Sequence, residues 1–172
     1  MVTGDSEEQR PAWYLEPFEG ESVSHYFGRF RRQPAVSISN PARLSRLAKM
    51  GPVLSRWEQF YFNPPPTQTE LEAIAKLISL DVEKLMALFP PSGERTLHRS
   101  TRLCAACYRD APYHRMEWQF QSVAGCEKHR LRLLSRCPAC DTKIALPRDW
   151  ELGACKQCGM KFVSMVKRQK CY

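Results

Sequence analysis

Four closely spaced pairs of metal-ligand residues occupy the second half of this 172-residue sequence. Within each pair two residues separate the ligands, a spacing that lets both side chains reach one metal ion from a tight turn. In chain order the pairs are Cys104/Cys107, Cys126/His129, Cys137/Cys140 and Cys155/Cys158, with 18, seven and 14 residues between successive pairs. Thiolate and imidazole ligands in this number predict two structural, tetrahedral zinc sites.

Two ways of combining the pairs are open. Sequential pairing gives site 1 the ligands Cys104, Cys107, Cys126 and His129, and gives site 2 the ligands Cys137, Cys140, Cys155 and Cys158. A cross-brace would instead join the first pair to the third and the second pair to the fourth. Sequential pairing closes shorter loops and is therefore favoured. Cys171 is left over and is interpreted as a free thiol.

The same pattern argues against catalysis. Four protein ligands close each site, whereas catalytic zinc keeps one coordination position open. A zinc deaminase would need an H-x-E motif, which the sequence lacks, and a redox C-x-x-C would need a thioredoxin-like βαβ unit, which is not visible. We therefore predict that the protein is not an enzyme. His98 and His114 are interpreted as ordinary surface or loop residues.

Positive charge is concentrated in the cysteine-rich half. The chain has a net charge of +8; residues 1–91 hold 10 Lys/Arg and 11 Asp/Glu, and residues 92–172 hold 16 and 7. Two zinc ions and seven thiolates would leave roughly +6 on the second half. Six cations between and after the ligand pairs are predicted to contact phosphate groups of DNA or RNA: Arg130, Arg132, Arg136, Lys167, Arg168 and Lys170. The alternative is a solvated face followed by a disordered tail.

The N-terminal half is predicted to consist of five short helices between residues 22 and 91, because apolar residues recur there with helical period. Capping signals precede them at Ser22 or Ser24, Asn40-Pro41, Thr67-x-x-Glu70 and Asp81. The second helix, ending at Gly51, and the third form a helix-turn-helix that resembles the repressor-type five-helix group. Only Arg56 and Gln59 of the third helix could reach a base, and the module is slightly acidic, so we favour protein docking over DNA reading.

These patterns divide the chain into three parts. Residues 1–21 form an extended arm, residues 22–91 the helix-turn-helix domain, and residues 92–172 a small α+β tandem zinc-ribbon or zinc-finger domain with a basic tail. The arm carries Trp13, Tyr14, Leu15 and Phe18, which are predicted to anchor a partner protein; the alternative is that they pack on the helical core. Neither a secretory signal nor an apolar run of membrane-spanning length is present, and we expect a cytoplasmic protein.

The combination of YLEPFEGESVSHYFGRFRR, the helix-turn-helix, CAACYRDAPYHRMEWQF, CEKH, CPAC and CKQC resembles the TniQ family over residues 11–166. These are target-selection proteins of bacterial cut-and-paste transposons, and the short members of type V-K CRISPR-associated transposons are the most similar. The resemblance implies a non-catalytic adaptor, monomeric on its own, with zinc ligands at the eight positions given above. It would link a CRISPR effector and its guide RNA to the AAA+ ATPase TnsC, and so to the transposase.

Long family members append domains that can read an attachment site, so the short form implies that guide RNA pairing selects the target. A rival interpretation is a small zinc-containing helix-turn-helix transcriptional regulator. It predicts tight, sequence-dependent DNA binding by the protein alone, usually as a dimer on two half-sites. No dimerisation helix is evident in the sequence, which counts against this rival.

Overall fold

A computed structural model describes residues 10–98 and 100–172. The predicted class is confirmed: a helical N-terminal part is followed by a segment with a small antiparallel sheet and two Cys/His clusters. The α-helices are α1 (Val23–Arg32), α2 (Pro41–Leu47), α3 (Val53–Trp57), α4 (Gln68–Ile78), α5 (Val82–Met86) and α6 (Ala105–Asp110). The strands are β1 (Gly125–Cys126) and β2 (Leu131–Arg132), and three 3₁₀ helices cover Met116–Gln119, Pro147–Asp149 and Phe162–Arg168. None of the helices in the described ranges has the length and apolar character that crossing a bilayer requires.

Local capping explains where the N-terminal helices begin. The Ser22 hydroxyl accepts a hydrogen bond from the His25 amide (3.3 Å) at the start of α1, and Asn40 caps α2 with Pro41 in the first helical position. A reciprocal capping box starts α4, as predicted. The end of α2 differs from the prediction, because the chain leaves the helix at Leu47 and takes its left-handed turn at Lys49 (φ 57°) rather than continuing to Gly51.

One apolar core joins α1 to α5. Its members are the buried faces of these helices: Val23, Tyr26, Phe27, Phe30, Leu44, Leu54, Trp57, Leu71, Ile74, Ala75, Ile78, Leu80, Leu85 and Leu88. Burial of this many large side chains is the main favourable contribution to the free energy of folding. The helical half therefore has a core of ordinary composition without any metal ligand in it.

A second apolar core surrounds the cysteine ligands. Trp118, Trp150, Phe162 and Met165 are each at most 3% exposed, and they pack with Leu103, Ile144 and six of the cysteines. The longest helix in this half is seven residues, so regular secondary structure holds little of it together. Five of the eight ligands are buried in this core, and metal ions held by the two clusters would tie its short segments to one another.

The two cores meet along α1. An added Cβ on Gly28 would lie 2.5 Å from the backbone oxygen of Arg148, so only glycine permits the close packing of α1 on the 3₁₀ helix Pro147–Asp149. Beside this contact the Ser24 hydroxyl accepts from the Arg148 amide (3.2 Å), and Arg32 donates to the Arg148 carbonyl (2.5 Å). The division at residue 91 stays a prediction, and the structure adds that the two cores are joined by specific polar contacts.

A buried carboxylate lies at the same junction. Glu58 is fully buried and forms ion pairs with Arg31, on α1, and with Arg148 (3.4 Å). Burial raises the pKa of Glu58, and the two guanidinium charges oppose that rise. Breaking such a buried network by removing one partner leaves an uncompensated charge, which is strongly destabilising.

His114 lies in a loop, as predicted, but it is not a surface residue. Its side chain is fully buried, with Nδ1 2.9 Å from the Ser22 hydroxyl and Nε2 3.1 Å from the Arg102 carbonyl. A carbonyl can only accept, so Nε2 carries the proton and Nδ1 accepts from Ser22. Burial lowers the pKa of His114 well below its usual value, and the ring is neutral.

Candidate metal centres and the surfaces around them

Site 1 combines a helix start with a hairpin. Cys104 directly precedes α6 and Cys107 lies in its first turn, while Cys126 ends β1 and His129 lies in the turn before β2. The His129 Nδ1 atom lies 3.2 to 3.8 Å from the three sulfur atoms, and the sulfurs of Cys107 and Cys126 are 3.4 Å apart. Zinc with bonds of about 2.0 to 2.3 Å would place tetrahedral neighbours about 3.5 to 3.8 Å apart, close to the observed spacing.

Asp110 orients the histidine of site 1. Its Oδ2 atom lies 3.2 Å from His129 Nε2, so the ring directs Nδ1 towards the sulfurs and Nε2–H towards the carboxylate. Lys128 donates to the same oxygen (2.7 Å), and this hydrogen bond lowers the pKa of Asp110. Asp110 was not among the residues predicted from the sequence. The available signal was its position three residues after Cys107 on one helix, which places both on the same face.

Site 2 is built from two short hairpins. Cys137 and Cys158 have sulfurs 3.6 Å apart, as do Cys140 and Cys155, and all four ligand atoms lie within 4.8 Å of one another. In each hairpin the amide of the first cysteine donates to the carbonyl five residues later, at 2.8 Å for Cys137 and 2.9 Å for Cys155. These bonds fold each C-x-x-C into a knuckle with both sulfurs on one side.

A left-handed residue follows the second ligand in three of the four pairs. Arg130, Asp141 and Gly159 have φ values of 54°, 58° and 71°, and each stands immediately after His129, Cys140 or Cys158. This conformation turns the chain back sharply after the second ligand, and glycine or aspartate tolerates it better than most residues do. The first pair needs no such residue because α6 begins between Cys104 and Cys107.

The two clusters are positioned to hold two zinc ions, and their arrangement is the sequential one rather than the cross-brace. The thiols of site 1 compete for ionisation: a hydrogen bond from Cys107 lowers the pKa of Cys104 to about 5, while the same contact raises the pKa of Cys107. A divalent cation removes this conflict because it stabilises all the thiolates together. Each cluster supplies four ligands, which is the composition of closed, structural zinc sites.

The arm lies along α1. Tyr14 and Leu15 are half-buried against the helical core, and the Tyr26 hydroxyl donates to the Leu15 carbonyl (3.0 Å). Phe18 stacks on Tyr113 with ring centroids 4.9 Å apart. Trp13 is 42% exposed and its side chain projects from an anchored backbone, since Gln33 donates to the Trp13 carbonyl (3.2 Å). Part of the predicted anchor therefore packs on the core, and Trp13 and Phe18 remain exposed. Residues 1–9 of the predicted arm lie outside the described residues.

All six predicted nucleic-acid contacts are exposed, and the structure brings four of them together. Arg132, Arg136, Arg168 and Lys170 line one groove beside site 2, whereas Arg130 occupies a turn and Lys167 is not in the lining. The tail is not free of the domain: Cys171 pairs with Leu131 as an isolated bridge beside β2. The described tail therefore packs beside β2, and the phosphate contacts of the six exposed cations stay a prediction.

The helix-turn-helix offers little for reading bases. The third helix, α3, spans five residues, and two of them, Leu54 and Trp57, are buried in the core. Arg56 is half-buried, and the Gln59 amide donates to the Ser55 carbonyl (2.9 Å). Base readout needs long polar side chains that project from the recognition helix. The described geometry gives α3 few groups for reading bases, and protein docking by this module stays a prediction.

A comparison with protein families places this chain beside a known group. The TniQ family profile matches residues 12–133, which is more than two thirds of the chain. The matched region contains residues 12–21 of the arm, all five N-terminal helices and site 1, and it ends before the ligands of site 2. No curated protein matches the sequence.

Proposed function

The chain belongs to the TniQ family, and on that premise we propose that it is a non-catalytic adaptor of RNA-guided DNA transposition. TniQ family proteins work with transposition machinery, which fixes the general role. The finer proposal is that the protein links a type V-K CRISPR effector and its guide RNA to the AAA+ ATPase TnsC. The observation that carries it is the family match over the arm and the helical half, the parts that present an exposed aromatic anchor.

The arm has the properties of a docking surface. Its backbone is held by hydrogen bonds to α1, so little conformational freedom would be lost when a partner covers it. Arg29 lies 4.0 Å above the ring of Phe18 and forms an ion pair with the buried Glu21 (2.6 Å), which fixes the second exposed aromatic. Exposed aromatic side chains on a rigid base are favoured as interface hot spots. We assign the ATPase to this surface.

The metal clusters support an adaptor rather than an enzyme. Both have a full set of four ligands, so zinc held there would fold the chain and leave no position for a substrate. Fixed modules that each make modest contacts can produce strong binding once they are held together on a common assembly. An adaptor between an effector and an ATPase would use the protein in this way.

The first experiment is co-sedimentation of the zinc-loaded protein with TnsC, ATP and random duplex DNA. We expect the protein to pellet only when both the ATPase and the nucleotide are present. Lanes with DNA alone, at about 50 and 200 mM salt, measure direct DNA binding. Pelleting with DNA alone, without any gain from the ATPase, would instead support the transcriptional regulator. Addition of the effector with its guide RNA and target DNA then tests the second link.

A pair of variants tests the arm. Trp13→Ala should weaken ATPase binding by at least about 30-fold, the loss expected for a hot-spot aromatic. Tyr61→Ala is the matched control because Tyr61 is similarly exposed, at 46% against 42% for Trp13, and lies in a different segment. Zinc content and melting temperature should be unchanged in both variants. Equal ATPase binding by the two variants would contradict the assignment of the arm.

A further inference from the structure

Two positive side chains face each other across strands whose pairing the sequence did not predict. Residues 170–172 run antiparallel to β2, with Cys171 opposite Leu131 and the Arg132 amide donating to the Lys170 carbonyl (2.8 Å). This register places Arg132 opposite Lys170. Like charges directly opposite on neighbouring strands are destabilising. An anion bound between the two side chains would offset this repulsion, because it attracts both of them.

Buried contacts hold the two strands in this unfavourable register. Gln169 is 8% exposed; its side chain donates to the Arg132 carbonyl (2.7 Å) and accepts from the Ala105 amide (3.0 Å) at the start of α6. Arg168 donates to the Pro138 carbonyl (3.3 Å) in the first knuckle of site 2. The tail is thereby fixed to both metal clusters, and its two cations have defined positions.

The cations converge on the groove described beside site 2. Its lining contributes four positive side chains and one negative side chain, Asp141, which forms an ion pair with Arg136 (3.1 Å). Leu133, Leu134, Pro138 and the site 2 ligand Cys137 complete the walls. The described lining contains no aromatic ring on which a base could stack. Its chemistry therefore suits phosphate groups, which arginine binds through its planar fork of donors.

We infer that this groove binds the phosphodiester backbone of a nucleic acid without reading its sequence. The ligand class follows from the positive side chains and from the absence of an aromatic ring for base stacking along the described lining. The inference goes beyond the proposed function, which concerns protein partners, and it holds whether or not the ATPase docks on the arm. DNA and RNA share the backbone chemistry, so both serve as probes.

The test is fluorescence anisotropy with a random-sequence duplex DNA and an RNA hairpin, at salt concentrations from about 50 to 200 mM. Four phosphate contacts predict a slope of about −3.6 in log affinity against log salt on duplex DNA, a loss of about 150-fold across this range. The double variant Arg132→Gln/Lys170→Gln should halve the slope, so that the loss falls to about 12-fold. Its melting temperature should not fall, because the substitution removes the cross-strand repulsion.

The matched control removes the same charge from the helix-turn-helix. Arg43→Gln/Arg46→Gln changes two exposed cations on α2 and should leave the salt slope unchanged. A reduced slope in this control with an unchanged slope in the groove variant would assign binding to the helix-turn-helix and overturn the inference. Failure of the unmodified protein to bind either probe at about 50 mM salt would overturn it as well. If the unmodified protein binds one probe more tightly than the other, and the groove variant loses this preference, the preferred probe shows whether the groove binds DNA or RNA.

Discussion

Removal of the Asp110 carboxylate should weaken zinc binding at site 1 while leaving site 2 intact. The carboxylate lies 3.2 Å from His129 Nε2 and holds the ring in the orientation in which Nδ1 faces the three sulfurs. Without it the free ring can rotate and can adopt the other tautomer, so binding must select one state from several. Asp110→Ala is therefore expected to lower the zinc affinity of one cluster only.

The structure places the effect at the lower end of the usual range. Loss of such an orienting partner generally costs 10- to 100-fold in metal affinity. The Asp110 side chain is 37% exposed and shares its Oδ2 atom with Lys128, so water and the lysine already weaken its hold on the ring. We expect a loss of about tenfold for Asp110→Ala, and a smaller loss for Asp110→Asn, whose amide oxygen can still accept from Nε2–H.

The assay is competition with a chromophoric chelator, supported by cadmium NMR. A cluster of three thiolates and one imidazole gives a signal separate from that of four thiolates, so the spectrum shows which site empties first. Glu127→Ala is the control, since it removes an exposed carboxylate from the same knuckle. An unchanged affinity in Asp110→Ala, or an equal loss in Glu127→Ala, would refute the orienting role and point to a general effect of surface charge.

Two further predictions concern the junction between the two cores. Gly28→Ala should destabilise the protein by about 1 to 3 kcal/mol in chemical denaturation, because its Cβ would meet the backbone of Arg148 at 2.5 Å. Gly51→Ala is the control and should not destabilise the protein, because a Cβ there meets nothing within 4 Å. Equal effects of the two substitutions would contradict the close packing at Gly28. Burial lowers the pKa of His114 in the folded state, so below about pH 6.5 the unfolded chain binds a proton that the folded chain does not bind. The free energy of unfolding therefore decreases as the pH decreases. This group should contribute a loss of about 1.4 kcal/mol between pH 7.5 and 5.5 in zinc-saturated protein, and His114→Asn should remove that part of the pH dependence. An identical pH profile in the variant would show that His114 is not the titrating group.

Sequence reasoning succeeded where the determining interactions are local. The Asn40-Pro41 start and the Thr67/Glu70 capping box depend on residues within one turn, and both helices begin as predicted. The ligand pairs are equally local, because two intervening residues suffice to bring two sulfurs together. The sequential combination followed from loop length, and the structure has that arrangement.

Prediction from the sequence failed where the determining contacts join residues that are distant along the chain. The ion pair between Glu58 and Arg148 joins residues 90 positions apart, and no periodic pattern in the sequence predicts it. The pairing of residues 170–172 with β2 is too short to show alternation of apolar and polar residues. His114 stands among polar residues that suggest a loop, yet two partners from separate segments bury it.

The position of Arg148 affects the order in which parts of the protein complete their folding. Arg148 belongs to the stretch between the two knuckles of site 2, yet it helps to neutralise a carboxylate in the helical half. Synthesis runs from the N-terminus, so Glu58 is made long before Arg148 and before the last two ligands. A nascent chain that ends before residue 148 has only Arg31 as a partner for this carboxylate. The helical half therefore acquires its complete ion-pair network only after the C-terminal half has been synthesised and has packed against α1.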